Sequence, residues 1–208
     1  MGRVKAPLFS LGASGTLGGA IVFSNWKGRD YARRHAIPSN PQSGLQTGVR
    51  TVFGWLAQDY ANLSAGDISD WEDLAAGDNI TALNAQIRDG VARARRNLGW
   101  RENTTDTGST QPAVPTGGAA VAQPHTLVLG WTDPAGDVAD YCVAIYSSII
   151  TAFTPDISNL VGIVPIGAEA FTHIGLTAGV EVFYRIRGMN TDGVLGVLHA
   201  EFSGTPTA

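Results

Sequence analysis

The hydrophobic pattern changes its period partway along the chain. Apolar residues recur at helical spacing from Leu45 to Tyr60, and the same spacing predicts two further helices, one beginning at Ser64 and one over 80–97. After Gly118 the apolar runs become short and alternating, with Pro, Gly, Asp and Asn between them. A chain that changes from helical to strand periodicity in this order predicts a helical unit followed by a β-sandwich.

A β-hairpin is predicted ahead of the helices. The segments 20–25 and 29–37 are rich in β-branched and aromatic residues, and Gly28 between them supplies the positive φ of a tight turn. Pro38 and Pro41 end the second strand. The predicted fold class is an α+β N-terminal unit, made of the hairpin and about three helices, followed by an all-β sandwich.

Composition indicates the boundaries of four segments. Residues 1–19 are rich in Gly and Ser and are expected to form an extended arm. The hairpin and helices occupy 20–100. The stretch 101–118 is polar and rich in Pro, Gly and Thr, which predicts a flexible linker. The sandwich occupies 119–208, and we expect it to project away from the hairpin and helices.

Charge is sparse in this sequence and unevenly distributed. Only 15% of the 208 residues are charged, which suits a protein packed against other proteins and also suits a loop-rich β protein. Up to Gly108 there are 12 Lys/Arg and 10 Asp/Glu, and beyond it there are 2 and 8. Neither half has the basic excess that nucleic-acid binding requires, so no nucleic-acid partner is expected.

Basic and aromatic side chains alternate along the second hairpin strand. The pattern is consistent with an edge strand kept soluble by its charge, or with an electropositive ribbon that docks on an acidic protein surface or, less in keeping with the charge balance, on nucleic acid. In the second interpretation the helix that follows contributes further contacts. The predicted docking residues are Trp26, Lys27, Arg29, Tyr31, Arg33, Arg34, Arg50, Phe53 and Trp55.

Catalytic and metal-binding patterns are missing from the sequence. The four His residues are scattered, no Gly-x-Ser-x-Gly motif occurs, and the Gly-rich start lacks the Gly-Lys-Ser/Thr of a phosphate-binding loop. The single cysteine, Cys142, excludes an internal disulfide and is expected to face outward from its strand. We expect no enzyme activity, no metal and no cofactor. The longest apolar runs are far below the roughly 20 residues of a membrane span, so no membrane partner is expected.

The strands of the second half place alternate side chains in a predicted core. Arg185 and Arg187 lie on the opposite face of their strand, where they form either a contact surface or solvated charges. The predicted core residues are Leu127, Leu129, Trp131, Tyr141, Val143, Ile145, Leu176, Val182, Tyr184 and Ile186.

Residues 111–208 resemble a fibronectin type III domain. The motifs that carry the resemblance are Leu127-x-Leu129-x-Trp131, Tyr184-Arg-Ile186-Arg and the closing Gly204-Thr-Pro206. The resemblance implies an immunoglobulin-like sandwich. At the family's tyrosine-corner position, six residues after Leu176, this chain has Val182, so that hydrogen-bonded lock is expected to be absent or replaced. The sequence has no Arg-Gly-Asp motif, so a cell-adhesion role does not carry over.

Residues 11–99 resemble a family of phage and prophage structural proteins. The matching motifs are the Gly-rich start, Trp26-Lys27-Gly28-Arg29-Asp30-Tyr31-Ala32-Arg33, Pro38-Ser39-Asn40-Pro41, Gln46 and Arg50. The resemblance implies a virion protein that is assembled in the host cytoplasm. We expect capsid decoration in many copies, with the major capsid protein or other virion proteins as partners. A tail, collar or fibre component and a free module that binds a host-surface glycan are the alternatives.

Overall fold

The chain divides into two units in the computed structural model. The structure describes residues 2–3, 15–17, 20–26, 29–36, 42–104, 110–133 and 140–208. The N-terminal unit comprises residues 1–41 and the C-terminal unit comprises residues 42–208. Within the described ranges, no helix is both long enough and apolar enough to cross a membrane.

The N-terminal unit contains an antiparallel sheet in the order β1-β4-β3-β2. Its strands are β1 (Gly2–Arg3), β2 (Gly15–Leu17), β3 (Ile21–Trp26) and β4 (Arg29–Arg34). The strands β3 and β4 form the predicted hairpin, with Ile21 opposite Arg34 and Trp26 opposite Arg29. Two short segments of the predicted extended arm over 1–19, β1 and β2, pair with the hairpin strands.

Three helices begin the C-terminal unit, as the helical spacing predicted. They are α1 (Gly44–Asp59), α2 (Ala65–Ala76) and α3 (Ala82–Arg95), with a 3₁₀ turn over Tyr60–Asn62. The side chain of Ser64 accepts a hydrogen bond from the backbone N–H of Asp67, and Thr81 caps α3 in the same way. A small core forms where α2 meets α3, around Trp71 and Ala85.

In the described part of the C-terminal unit, seven antiparallel strands follow the helices and form a two-sheet sandwich. One sheet has the order β5-β6-β9 and the other β11-β10-β7-β8. The strands are β5 (Thr116–Gln123), β6 (Thr126–Thr132), β7 (Asp140–Ser148), β8 (Leu160–Pro165), β9 (Ala170–Ile174), β10 (Val182–Asn190) and β11 (Phe202–Gly204). The predicted fold class, a hairpin with three helices followed by a β-sandwich, is confirmed.

Apolar side chains from both sheets fill the space between them. The residues buried there are Leu127, Leu129, Trp131, Val143, Ile145, Val182, Tyr184 and Ile186. Leu176 is half-buried against this cluster. Tyr141 is the one predicted core residue placed elsewhere, because it belongs to a second cluster on the opposite side of its sheet.

The second cluster lies where the helices pack on the outer face of the four-stranded sheet. Cys142, Ala144 and Tyr146 of β7 meet Val52 and Leu56 of α1 there. Strand β7 is therefore buried on both faces, with the sandwich core on one side and the helices on the other. This is typical of a sheet that is covered on both sides. Cys142 does point away from the sandwich core, as predicted, but it is 0% exposed because the helices cover it.

Two glycines of α1 allow the helix to lie directly on the loop between β7 and β8. A Cβ atom on Gly48 would lie 1.8 Å from the backbone oxygen of Ile157, and one on Gly44 would lie 2.3 Å from that of Ser158. Real Cβ atoms do not approach a carbonyl oxygen so closely, so only glycine fits at either position. The loop between β7 and β8 is thus the surface that these two glycines approach.

The structural boundary differs from the predicted one. Sequence composition placed a linker over 101–118, whereas the structure separates the chain after Pro41. Trp100 is buried in the cluster shared by helices and sandwich. The backbone oxygen of Glu102 accepts a hydrogen bond of 2.7 Å from Trp71, and its N–H donates one of 2.8 Å to the oxygen of Thr191. The helices and the sandwich therefore form one body.

Candidate docking surface

The hairpin places its exposed arginines on opposite faces of the N-terminal sheet. Arg33 lies opposite Val22 and shares a face with Tyr31, whereas Arg34 lies opposite Ile21 on the other face. Both arginines are exposed. The predicted ribbon of basic residues is therefore split between two faces. Lys27 lies outside the described residues. Trp26, at the end of β3, lies opposite Arg29, at the start of β4.

Within the described residues, strand β4 has a partner strand on both sides only at Tyr31 and Ala32. It pairs with β3 along its length and with β1 at these two residues. The charged residues of β4, which are Arg29, Asp30, Arg33 and Arg34, lie outside this pairing with β1. The interpretation of these charges as protection for an exposed strand edge therefore stays a prediction.

The charge of the molecule separates at the structural boundary. Residues 1–41 contain six Lys/Arg and one Asp, a net charge of +5. Residues 42–208 contain 8 Lys/Arg and 17 Asp/Glu, a net charge of −9. Counting charge on either side of residue 108 hides most of this contrast, because residues 1–108 combine the basic N-terminal unit with the acidic helices.

The three predicted docking residues on α1 have different environments. Arg50 and Phe53 are exposed. Trp55 is half-buried, and its Nε1 donates a hydrogen bond of 3.3 Å to the hydroxyl oxygen of Tyr141. Arg50 and Trp55 both line a groove of about 280 Å³ whose other wall includes Val161 and Ile163 of β8. Trp55 therefore joins α1 to the sandwich in addition to facing this groove.

A buried polar network connects α1 to β7. The hydroxyl of Tyr141 donates a hydrogen bond to the carboxylate of Asp59 while accepting the bond from Trp55. Burial raises the pKa of Asp59 above 3.8, although the hydrogen bond from Tyr141 opposes the shift. Burial also raises the pKa of Tyr141, so its hydroxyl remains protonated and continues to donate.

Sequence reasoning missed Asp59, although its position in α1 was a usable signal. Asp59 lies three residues after Leu56 and seven after Val52, both of which are fully buried. It therefore falls on the apolar stripe of the helix, where a carboxylate needs a partner.

The two arginines of β10 make internal contacts. The Nε and Nη2 atoms of Arg187 donate to the hydroxyl oxygen of Tyr146 at 3.2 and 3.0 Å, and Nη2 also donates to Asn97 at 3.2 Å. Arg187 thus joins the end of α3 to the four-stranded sheet. The Nε atom of Arg185 lies 3.6 Å from the carboxylate of Glu201.

The corner between β9 and β10 is held without the tyrosine that the resemblance would require. Val182 is buried in the sandwich core. The backbone N–H of Leu176 donates to the oxygen of His125 and that of Gly179 donates to Pro206, both at 2.9 Å. The hydroxyl of Tyr184 lies 2.8 Å from Nδ1 of His173, whose pKa is lowered by burial. Main-chain bonds and this side-chain pair therefore replace the expected lock.

Comparison with known proteins finds solved structures that are similar to about half of the chain. The chain matches no protein-family model and no curated protein. A solution structure of a human fourth fibronectin type III domain is 11% identical, covering 50% of this chain and 87% of that chain with a TM-score of 0.41. Domains A168–A170 of titin are 18% identical, covering 47% of this chain and 33% of that one with a TM-score of 0.37.

A third similar structure belongs to a much longer protein. A β-1,2-glucanase from Parabacteroides distasonis is 14% identical, with a TM-score of 0.40, and the match covers 51% of this chain but 14% of the glucanase. Each of these matches covers about half of the chain, and one of the matched structures is a fibronectin type III domain.

Proposed function

We propose that this protein is a non-enzymatic structural protein of a phage virion. Its cationic N-terminal unit attaches to an acidic protein surface of the particle, and the C-terminal unit is carried there as one rigid body. The observation that carries the proposal is the charge separation at Pro41, with +5 on one side and −9 on the other. A cationic attachment unit is steered toward acidic surfaces, whereas the acidic C-terminal unit is repelled from them.

The motifs of the first half support a virion as the assembly. The Trp26-to-Arg33 motif and the Pro-x-Asn-Pro corner resemble those of phage structural proteins, and both lie within the cationic unit. Within the virion we favour capsid decoration, with many copies bound to the major capsid protein after assembly in the host cytoplasm. A tail, collar or fibre position is the alternative, and the copy number in purified particles, measured by mass spectrometry, distinguishes the two.

The docking test reverses charge on the hairpin. The variant R33E/R34E is expected to lose binding to particles that lack this protein, as measured by co-sedimentation. The control R95E/R96E makes the same charge change at two exposed positions of the C-terminal unit and is expected to bind normally. Wild-type binding should also weaken with added salt, because it depends on exposed charges. Undiminished binding by R33E/R34E would exclude the hairpin as the attachment site.

The single substitutions locate the docking face. Arg33 and Arg34 lie on opposite faces of the sheet, so one of R33E and R34E should account for most of the loss. A free module that binds host-surface glycans remains the other function to test. Glycan binding by residues 42–208 without particles would favour that function, and the helices should be retained in the fragment because they share a core with the sandwich.

A further inference from the structure

The outer face of the three-stranded sheet carries no charge. Because Leu127, Leu129 and Trp131 point into the sandwich core, the residues that alternate with them point outward, as do their partners across the sheet. The outward residues are Ala119, Val121, Gln123, Thr126, Val128, Gly130, Thr132, Ala170, Thr172 and Ile174. No side chain on this face is charged, although the C-terminal unit carries a net charge of −9.

This face has a trough beside a ridge. The strand register aligns the small residues Ala119, Gly130 and Ala170 in one row across the sheet. The next row, roughly 7 Å along the strands, consists of Val121, Val128 and Thr172, which are all β-branched. An added Cβ atom on Gly130 would meet no heavy atom nearer than 4.0 Å, so the trough is open.

The two sheets of the sandwich differ in what covers their outer faces. The helices cover the four-stranded sheet. On the three-stranded sheet Val121 is 61% exposed and Ile174 is 73% exposed. Exposed apolar patches of roughly 300–600 Å² occur on typical monomeric proteins and are often functional.

We propose that this face binds a second copy of the same chain, with the two sheets packed face to face about a two-fold axis. A two-fold contact requires a surface that is complementary to itself. A ridge beside a trough meets this requirement, because each copy inserts its ridge into the trough of the other. The charge distribution agrees, since two acidic C-terminal units repel least where faces without carboxylates meet.

The size of the face sets the strength of the contact. Three strands and four rows of outward residues span roughly 14 by 20 Å, or about 300 Å² per copy. A stable interface buries about 800 Å² per partner, so the free dimer is weak, with a Kd on the order of 10⁻⁴ to 10⁻³ M. Copies that are held side by side on a larger assembly would associate through their high local concentration. The contact itself does not depend on particle attachment.

The test measures self-association of the full-length protein by analytical ultracentrifugation. A dimer is expected to appear between about 0.1 and 1 mM and to strengthen with added salt, because salt screens the repulsion between acidic copies. In G130V the new side chain fills the trough, and dimerisation should weaken about tenfold or more. If the face instead associated non-specifically through its apolar area, G130V should strengthen dimerisation, because the substitution adds apolar surface.

Two further variants separate this face from other exposed aliphatic residues. V121E/I174E places carboxylates on the face and should abolish the dimer. I149E/I150E replaces two side chains that are 70% and 68% exposed in the loop after β7, and it should dimerise normally. Three outcomes would overturn the proposal: a monomer at every concentration, a dimer that V121E/I174E leaves intact, or a dimer that salt dissolves. The last would indicate attraction between the basic N-terminal unit of one copy and the acidic C-terminal unit of another.

Discussion

Asp59 is buried where α1 meets β7, and its carboxylate accepts a hydrogen bond from Tyr141. Burial raises the pKa of Asp59 above 3.8 because the ionised carboxylate loses its hydration. The folded protein therefore holds this proton more tightly than the unfolded chain does. The stability that the proton contributes is fully present below pH 3.8 and is lost as the pH rises through the raised pKa.

The substitution D59N tests this balance. An amide oxygen can still accept the bond from Tyr141, but the side chain no longer ionises. At pH 7 we expect the free energy of unfolding to rise by on the order of 1 kcal/mol, and the gain should shrink as the pH approaches 4. Urea unfolding at several pH values measures both effects. A D59N protein that is less stable than wild type at pH 7 but equal to it at pH 4 would show that the ionised carboxylate is favoured.

At the scale of elements, local sequence patterns predicted the features that depend on residues close together in the sequence. The helical stripe from Leu45 to Tyr60 and the Ser64 cap gave α1 and α2 close to their observed positions. The outer face of β7 was not anticipated, because its burial depends on helices that are distant in the sequence. A signal was available: residues 141–146 are apolar without alternation, which is typical of a strand covered on both faces.

The docking of α1 depends on a second such long-range contact, at Gly48. The substitution G48A would place a methyl group against the backbone oxygen of Ile157. We expect it to lower the free energy of unfolding by about 1–3 kcal/mol through overpacking, despite the better helix propensity of alanine. The control G54A lies on the same helix with no atom within 4 Å of the added group. G54A should stabilise the protein by about 0.5–1 kcal/mol. Equal stability of the two variants in urea would mean that α1 does not rest on this loop.

At the scale of the whole molecule, composition was a poor guide to where the chain divides. Residues 101–118 have the composition of a linker, yet Pro112 and Pro115 are buried and Trp100 lies in the shared core. Composition reports local solubility, whereas a boundary depends on which distant residues bury one another. The predicted docking residues show the same limit of sequence analysis. The sequence pattern identified the basic residues of β4 but did not show that Arg33 and Arg34 lie on opposite faces of the sheet.

Cys142 offers a direct probe of that division. Its thiol is buried beneath the helices and is the only cysteine in the chain. If helices and sandwich form one cooperative body, a thiol reagent should label Cys142 only as fast as the whole C-terminal unit unfolds, and protection should be lost at the same urea concentration as the circular dichroism signal. If the sandwich moved independently of the helices, the thiol would react in native buffer at nearly the rate of a free cysteine.

G48A should speed labelling in proportion to its loss of stability, whereas G54A should slow it. Faster labelling in G48A without a matching loss of global stability would place the opening at the α1 contact alone, and the C-terminal unit would then behave as two bodies.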